Sequence, residues 1–213
     1  LSGRALDDLA SLVAPRQVII CEGNPAGPVP GKNAEHDAQV YGKIFADEFP
    51  DVTFISAGSS KEVSGDFLGL AAALPKVAAG MQVTRLIDHD DHAPADVNAF
   101  NEKGVIVLTR RHLESYLYDD EVLTALCSSE GKLDDAPSVI AAKEKALSDS
   151  SRRGNPNDDI KSAAGTIYTE TKRILGLVRS GNDQMSFARN TLVPLIKPGM
   201  SVYAELRRDI FGR

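Results

Sequence analysis

Tryptophan is absent, and of 213 residues only Cys21 and Cys127 carry a thiol. They are far apart, with no Cys-x-x-Cys or Cys/His zinc spacing, so a thiolate zinc site is not indicated. A buried strand cysteine acts as a small hydrophobe, and the expected setting is reducing and cytoplasmic. No apolar run approaches the roughly 18 residues of a membrane span, so no membrane partner is expected. A basic excess is also missing: 24 Lys and Arg against 30 Asp and Glu give a net charge of −6. That argues against a broadly basic nucleic-acid surface. It leaves nucleic acid open, because metal-binding carboxylates add formal charge that the metals offset. The start, Leu1-Ser2-Gly3-Arg4-Ala5, has neither a methionine nor a signal-peptide core. The expectation is a piece cut from a longer protein.

What is present is a pair of apolar runs that each end on acid. Gln17-Val18-Ile19-Ile20-Cys21 runs into Glu22-Gly23, and Val83-Thr84-Arg85-Leu86-Ile87 runs into Asp88-His89-Asp90-Asp91. Short β-branched runs of this kind read as buried strands of a parallel sheet. Ligands of open α/β sheets collect at the carboxyl ends of such strands. Carboxylates gathered there repel one another unless a cation sits among them, which points to a divalent metal.

Further strands are expected at 52–55 and 105–108, with helices at 34–49, 61–79 and 95–103. This alternation predicts an α/β fold with a mostly parallel sheet of about four strands and right-handed crossovers. Leu6, Leu9, Leu12 and Val13 give residues 2–14 a helical spacing, and a Gly/Pro loop follows strand one. After residue 108 no strand pattern remains. Helices are expected at 110–126, 158–176, 183–193 and 199–209, with a mobile loop over 148–157. The predicted organisation is a leading helix or linker (1–14), a catalytic α/β domain (15–127) and a helical appendage (128–213).

Asp88 and Asp90 stand two apart, which in an extended chain places both carboxylates on one side. Hard oxygen donors suit Mg²⁺ or Mn²⁺. Asp37 opens the helix after the Gly/Pro loop, where the helix dipole alone would stabilise an acid. Glu114 lies just beyond strand four in Arg110-Arg111-His112-Leu113-Glu114-Ser115-Tyr116. His89 and His92 flank the acids of strand three and read as solvated or substrate-contacting.

Together these residues resemble a Toprim domain, with a glutamate after strand one (Glu22) and Asp-x-Asp after strand three (Asp88, Asp90). The match is closest to the carboxy-terminal nuclease region of OLD-family ATP-dependent endonucleases. Asp37, Glu114 and the helical appendage favour that branch, although the loop from Glu22 to Asp37 is longer than the family's. The resemblance implies a Rossmann-like fold and cleavage of DNA phosphodiesters by two Mg²⁺ or Mn²⁺ ions about 3.5–4 Å apart. It gives Glu22 and Asp88 to one ion, and Asp37, Asp90 and Glu114 to the other. It also implies a lysine from the later segment, Lys161 first and Lys172 second, to offset charge on the phosphate. An upstream ABC-type ATPase, ATP use through it and a homodimer formed by it are further implications. Arg110, Arg111, Arg152 and Arg153 are the expected backbone contacts. Two alternatives stay open: a Toprim acting on RNA or in primer synthesis, and a non-enzymatic receiver-like binding module.

Overall fold

The computed structural model describes residues 15–26, 33–78, 80–178 and 180–212. The expected helix over 2–14 and most of the Gly/Pro loop lie outside the described residues. The chain forms two compact units. The first runs to Asp88 and resumes over His92–Val107, and the second joins His89–Asp91 to the chain from Leu108 onward.

In the first unit, β1 (Gln17–Cys21), β2 (Val52–Ser56), β3 (Gln82–Ile87) and β4 (Val105–Val107) form one sheet. Its order is β2-β1-β3-β4 and every pairing is parallel. This is the expected α/β fold. Cys21 is level with Ser56 on one side and Leu86 on the other, so the carboxyl ends of the three strands share an edge. Strand order reverses at β1, which makes the gap between β1 and β3 a topological switch point, where such sheets bind ligands. Glu22 and Asp88 are the first residues beyond those two strands.

Alternation along β1 sends Val18 and Ile20 to one face and Ile19 and Cys21 to the other. Val18 and Ile20 pack with Val63, Ile87 and Val105 under Leu70, Leu74 and Phe100. Val63 comes from α2 (Ser60–Ser64), Leu70 and Leu74 from α3 (Leu70–Val77), and Phe100 from α4 (Pro94–Glu102). On helix α1 (His36–Phe45), Tyr41 and Phe45 stack on Phe54 of β2, at centroid distances of 5.3 and 6.3 Å. Each fully buried large apolar side chain contributes about 1.5–3 kcal/mol.

The helix expected at 61–79 is two helices. Gly65 and a left-handed Asp66 (φ 50) break it, and the Asp66 carboxylate then accepts the N–H groups of Ala71 and Ala72 at 3.0 and 3.2 Å. Those are donors that a helix start leaves unpaired. Arg85 on β3 donates to the carbonyls of Ser64 and Lys103, both at 2.6 Å, and so caps the ends of α2 and α4.

The second unit is helical among its described residues: α5 (Leu113–Leu117), α6 (Asp120–Ser129), α7 (Ala136–Arg152), α8 (Ile160–Leu175), α9 (Gln184–Phe187) and α10 (Ser201–Phe211). The single helix expected at 110–126 divides at Asp119, whose side chain caps α6 by accepting from the Glu121 N–H at 2.8 Å. The loop expected over 148–157 is a correction. Helix α7 continues to Arg152, because Ala141 to Leu147 are strong helix formers and Val139, Ala146 and Ser150 form a buried stripe. Its polar composition is that of a solvated face. The helix expected at 183–193 stops at Phe187 and passes through a π turn (Ala188–Leu192) to a 3-10 turn holding Pro194, which has no N–H to return.

Candidate active site

At the switch point, Glu22 Oε1 accepts the backbone N–H of Asp88 at 2.8 Å. Asp88 is buried. Beyond Glu22 the chain turns at Gly23 (φ +119), whose N–H and carbonyl exchange two 2.9 Å hydrogen bonds with Gly58. A Cβ on Gly23 would stand 3.1 Å from Asp37 Oδ2 and 2.9 Å from Ser56 Oγ. Having no side chain, Gly23 lets the main chain pass closely beside the Asp37 carboxylate and the Ser56 hydroxyl. Only a residue that tolerates this φ without a Cβ serves here.

Glu35 fixes that arrangement, and sequence reasoning missed it. Its backbone is left-handed (φ 57), and its carboxylate accepts from Ala26 N–H at 2.8 Å and Ser56 N–H at 3.0 Å. It thereby ties the start of α1, and Asp37 with it, to the end of β2. Nothing in Ala34-Glu35-His36-Asp37 distinguishes a tether from a solvated acid.

The field at this edge is negative. Burial pushes the Cys21 thiol well above its ordinary range, Asp37 pushes it further, and Glu35 and Asp88 add to that against the Ser56 hydroxyl. Cys21 is therefore a protonated, buried thiol and not a nucleophile.

Asp88 and Asp90 do not lie on one extended segment in the folded chain. Strand β3 ends at Ile87, and Asp90 is left-handed (φ 45) with its N–H on the Arg111 carbonyl at 2.9 Å. Asp88 belongs to the first unit and Asp90 to the second.

In the second unit Asp90, Glu114 and Lys161 come together around His112. The imidazole is buried, with Nε2 3.1 Å from Asp90 Oδ1 and Nδ1 3.7 Å from Asp159 Oδ1. Nδ1 has no hydrogen-bond partner. Burial lowers the His112 pKa and Lys161 lowers it further, against Glu114, Asp90 and Asp159. The ring is therefore neutral at pH 7. Asp159 caps α8 through Ser162 N–H at 2.9 Å, placing Lys161 in the first turn of that helix. His112 was legible only as part of the Arg-Arg-His-Leu-Glu run after β4, and Asp159 only as a helix cap.

Two expected contacts are structural in this fold. Lys172 Nζ donates to the Gly181 carbonyl at 2.8 Å and lies over the Tyr168 ring. Arg110 is bound by Glu205 (2.7 Å), Asp119 (2.6 Å) and the Ser115 carbonyl (2.9 Å), with its guanidinium over Tyr116.

Among the described residues no three His, Cys, Asp or Glu side chains converge as a ready-made metal site. The donors at the switch point are nonetheless of the right chemistry. Magnesium dehydrates reluctantly and is commonly held by one or two carboxylates with water and substrate phosphate completing its shell. Glu22, Asp37 and Asp88 are carboxylates of the kind this mode of binding uses. No protein-family model, curated protein or solved structure matches the chain.

Proposed function

We propose that this chain is a metal-dependent DNA endonuclease, the Toprim nuclease part of an OLD-type protein in which an ABC-type ATPase supplies ATP use. The observation that carries the reading is the hydrogen bond joining Glu22 to Asp88 across the switch point, with the Asp37 carboxylate close beside Gly23. Glu22, Asp37 and Asp88 would hold Mg²⁺ or Mn²⁺. When bound, such an ion supplies positive charge against a phosphoryl oxygen and a more acidic water. Glu22 does two things in this arrangement: it presents a carboxylate and it fixes the main chain of Asp88. Asp88 is buried at the carboxyl end of β3, beside the strand that carries Glu22.

Within the second unit, Asp90 and Glu114 are a separate group of carboxylates around His112, with Lys161 as the cation beside them. Neutral His112 orders Asp90 through its Nε2 contact.

The test is incubation of supercoiled plasmid with the chain in Mn²⁺ or Mg²⁺, with EDTA as control and an RNA of equal length in parallel. Nicked circles that require the metal are expected. Cleavage of RNA alone, or no metal-dependent cleavage of either, refutes the reading.

A further inference from the structure

A cavity of about 430 Å³ opens on the second unit, lined by His89, Thr109, Arg111, Ser115, Lys143 and Asp158 among others. Its basic groups differ from the locked Arg110 beside them. The Arg111 side chain is only 13% exposed, yet both carboxylates it binds face solvent. Asp91, at 2.6 Å from Nη2, is 80% exposed, and Asp158, at 2.9 Å from Nε, is 70% exposed. Lys143 is similar, 14% exposed and paired with the outward-facing Asp120. Ser115 adds a hydroxyl that is buried and has no hydrogen-bond partner.

Both carboxylates on Arg111 face solvent, so each can be rehydrated when another anion takes its place. A guanidinium fork matches two oxygens of a phosphate and binds them more strongly than a neutral acceptor. A buried hydroxyl without a partner favours a ligand that brings acceptor oxygens. The groups lining the cavity thus include a fork, an ammonium and a spare hydroxyl.

We propose that this cavity receives one phosphodiester of a DNA strand, taken by Arg111 as it gives up Asp158 and Asp91. The proposal rests on the reading of the chain as acting on DNA. It separates Arg111, a substrate contact, from Arg110, a structural strut.

The experiment is fluorescence anisotropy of a labelled DNA oligonucleotide over a range of salt, in EDTA so that no cleavage intervenes. Arg111→Gln is expected to weaken binding about tenfold and to reduce the salt slope by about 1, with unchanged thermal stability. Asp158→Asn is expected to tighten binding several-fold, an effect absent when Arg111→Gln is also present. The control Glu130→Gln, an exposed acid outside the cavity, corrects for net charge. Parent-like affinity and salt slope in Arg111→Gln would overturn the proposal, as would tightening by Asp158→Asn that persists without Arg111. Binding of RNA but not DNA overturns it as well. Because the assay contains no metal, Arg111-dependent binding without metal-dependent nicking would sink the endonuclease reading and leave this one standing.

Discussion

Glu22 and Asp88 are joined by a 2.8 Å hydrogen bond from the Asp88 main chain to the Glu22 carboxylate. The acid after β1 thus fixes the acid after β3, and its structural and chemical roles can be separated by substitution. Gln at position 22 keeps an oxygen acceptor and loses the charge, whereas Ala loses both. Glu22→Gln is expected to melt within about 1 °C of the parent while Mn²⁺-dependent nicking falls at least about a hundredfold. Glu22→Ala is expected to lose the same activity and, in addition, about 1 kcal/mol of stability, the typical net worth of one hydrogen bond. Chemical denaturation beside the nicking assay checks both.

Asp209 organises the chain after β4. It accepts Thr109 N–H (3.0 Å), Thr109 Oγ1 (2.8 Å) and the Tyr116 hydroxyl (2.6 Å), and that hydroxyl in turn accepts Arg110 N–H at 3.1 Å. Tyr116→Phe removes one acceptor and one donor from a buried network. It is expected to cost about 1–3 kcal/mol in urea unfolding. Parent-like stability would show that this network contributes nothing.

The strand ends were legible because their cause is local. β-branched runs bounded by Glu22-Gly23 and Asp88-His89 write both the strand and the acid at its tip, and parallel pairing then brings the tips to one edge. Glu35, His112 and Asp159 were not legible in the same way. Their roles depend on partners 21 or 47 positions away (Ser56 for Glu35, Asp159 for His112), which no local pattern encodes. The left-handed Asp90 defeated a period-two argument that holds only while the chain stays extended. Helix α7 was hidden by its own solvated face, since few of its 17 residues are buried.

Glu121 reaches from α6 to the start of α10, where it accepts Ser201 Oγ at 2.7 Å and the N–H groups of Ser201 and Val202 at 3.2 and 3.1 Å. The Ser201 hydroxyl, with the Val202 and Ser201 amides, holds its carboxyl below the ordinary glutamate value of 4.5. A depressed pKa in the folded chain stabilises it above the unfolded value, and that gain is lost as pH falls through the folded value. Glu121→Gln is therefore expected to cost about 0.5–1 kcal/mol at pH 7, the lower part of the capping range for an exposed cap. The difference from the parent should shrink below pH 4.5. A gap that stays constant down to pH 3 in paired thermal melts contradicts this.

The two lysines separate by readout. Lys172→Met breaks the bond to Gly181 and is expected to lower stability by about 1 kcal/mol while cleavage per folded molecule is retained. Lys161→Met, at an exposed position in the first turn of α8, is expected to leave the melting temperature alone and slow cleavage at least tenfold. The reverse pattern would move the assignment to Lys172.

The central claim is that the acid-tipped strands carry a divalent ion for phosphodiester cleavage. Its most direct measurement is the nicking rate of supercoiled plasmid against Mn²⁺ concentration for the parent and for Asp88→Asn, both shown folded by their thermal melts. The account predicts saturable Mn²⁺ dependence in the parent and a loss of at least about a hundredfold in Asp88→Asn that added metal does not restore. An Asp88→Asn protein that nicks as fast as the parent at every Mn²⁺ concentration would contradict it.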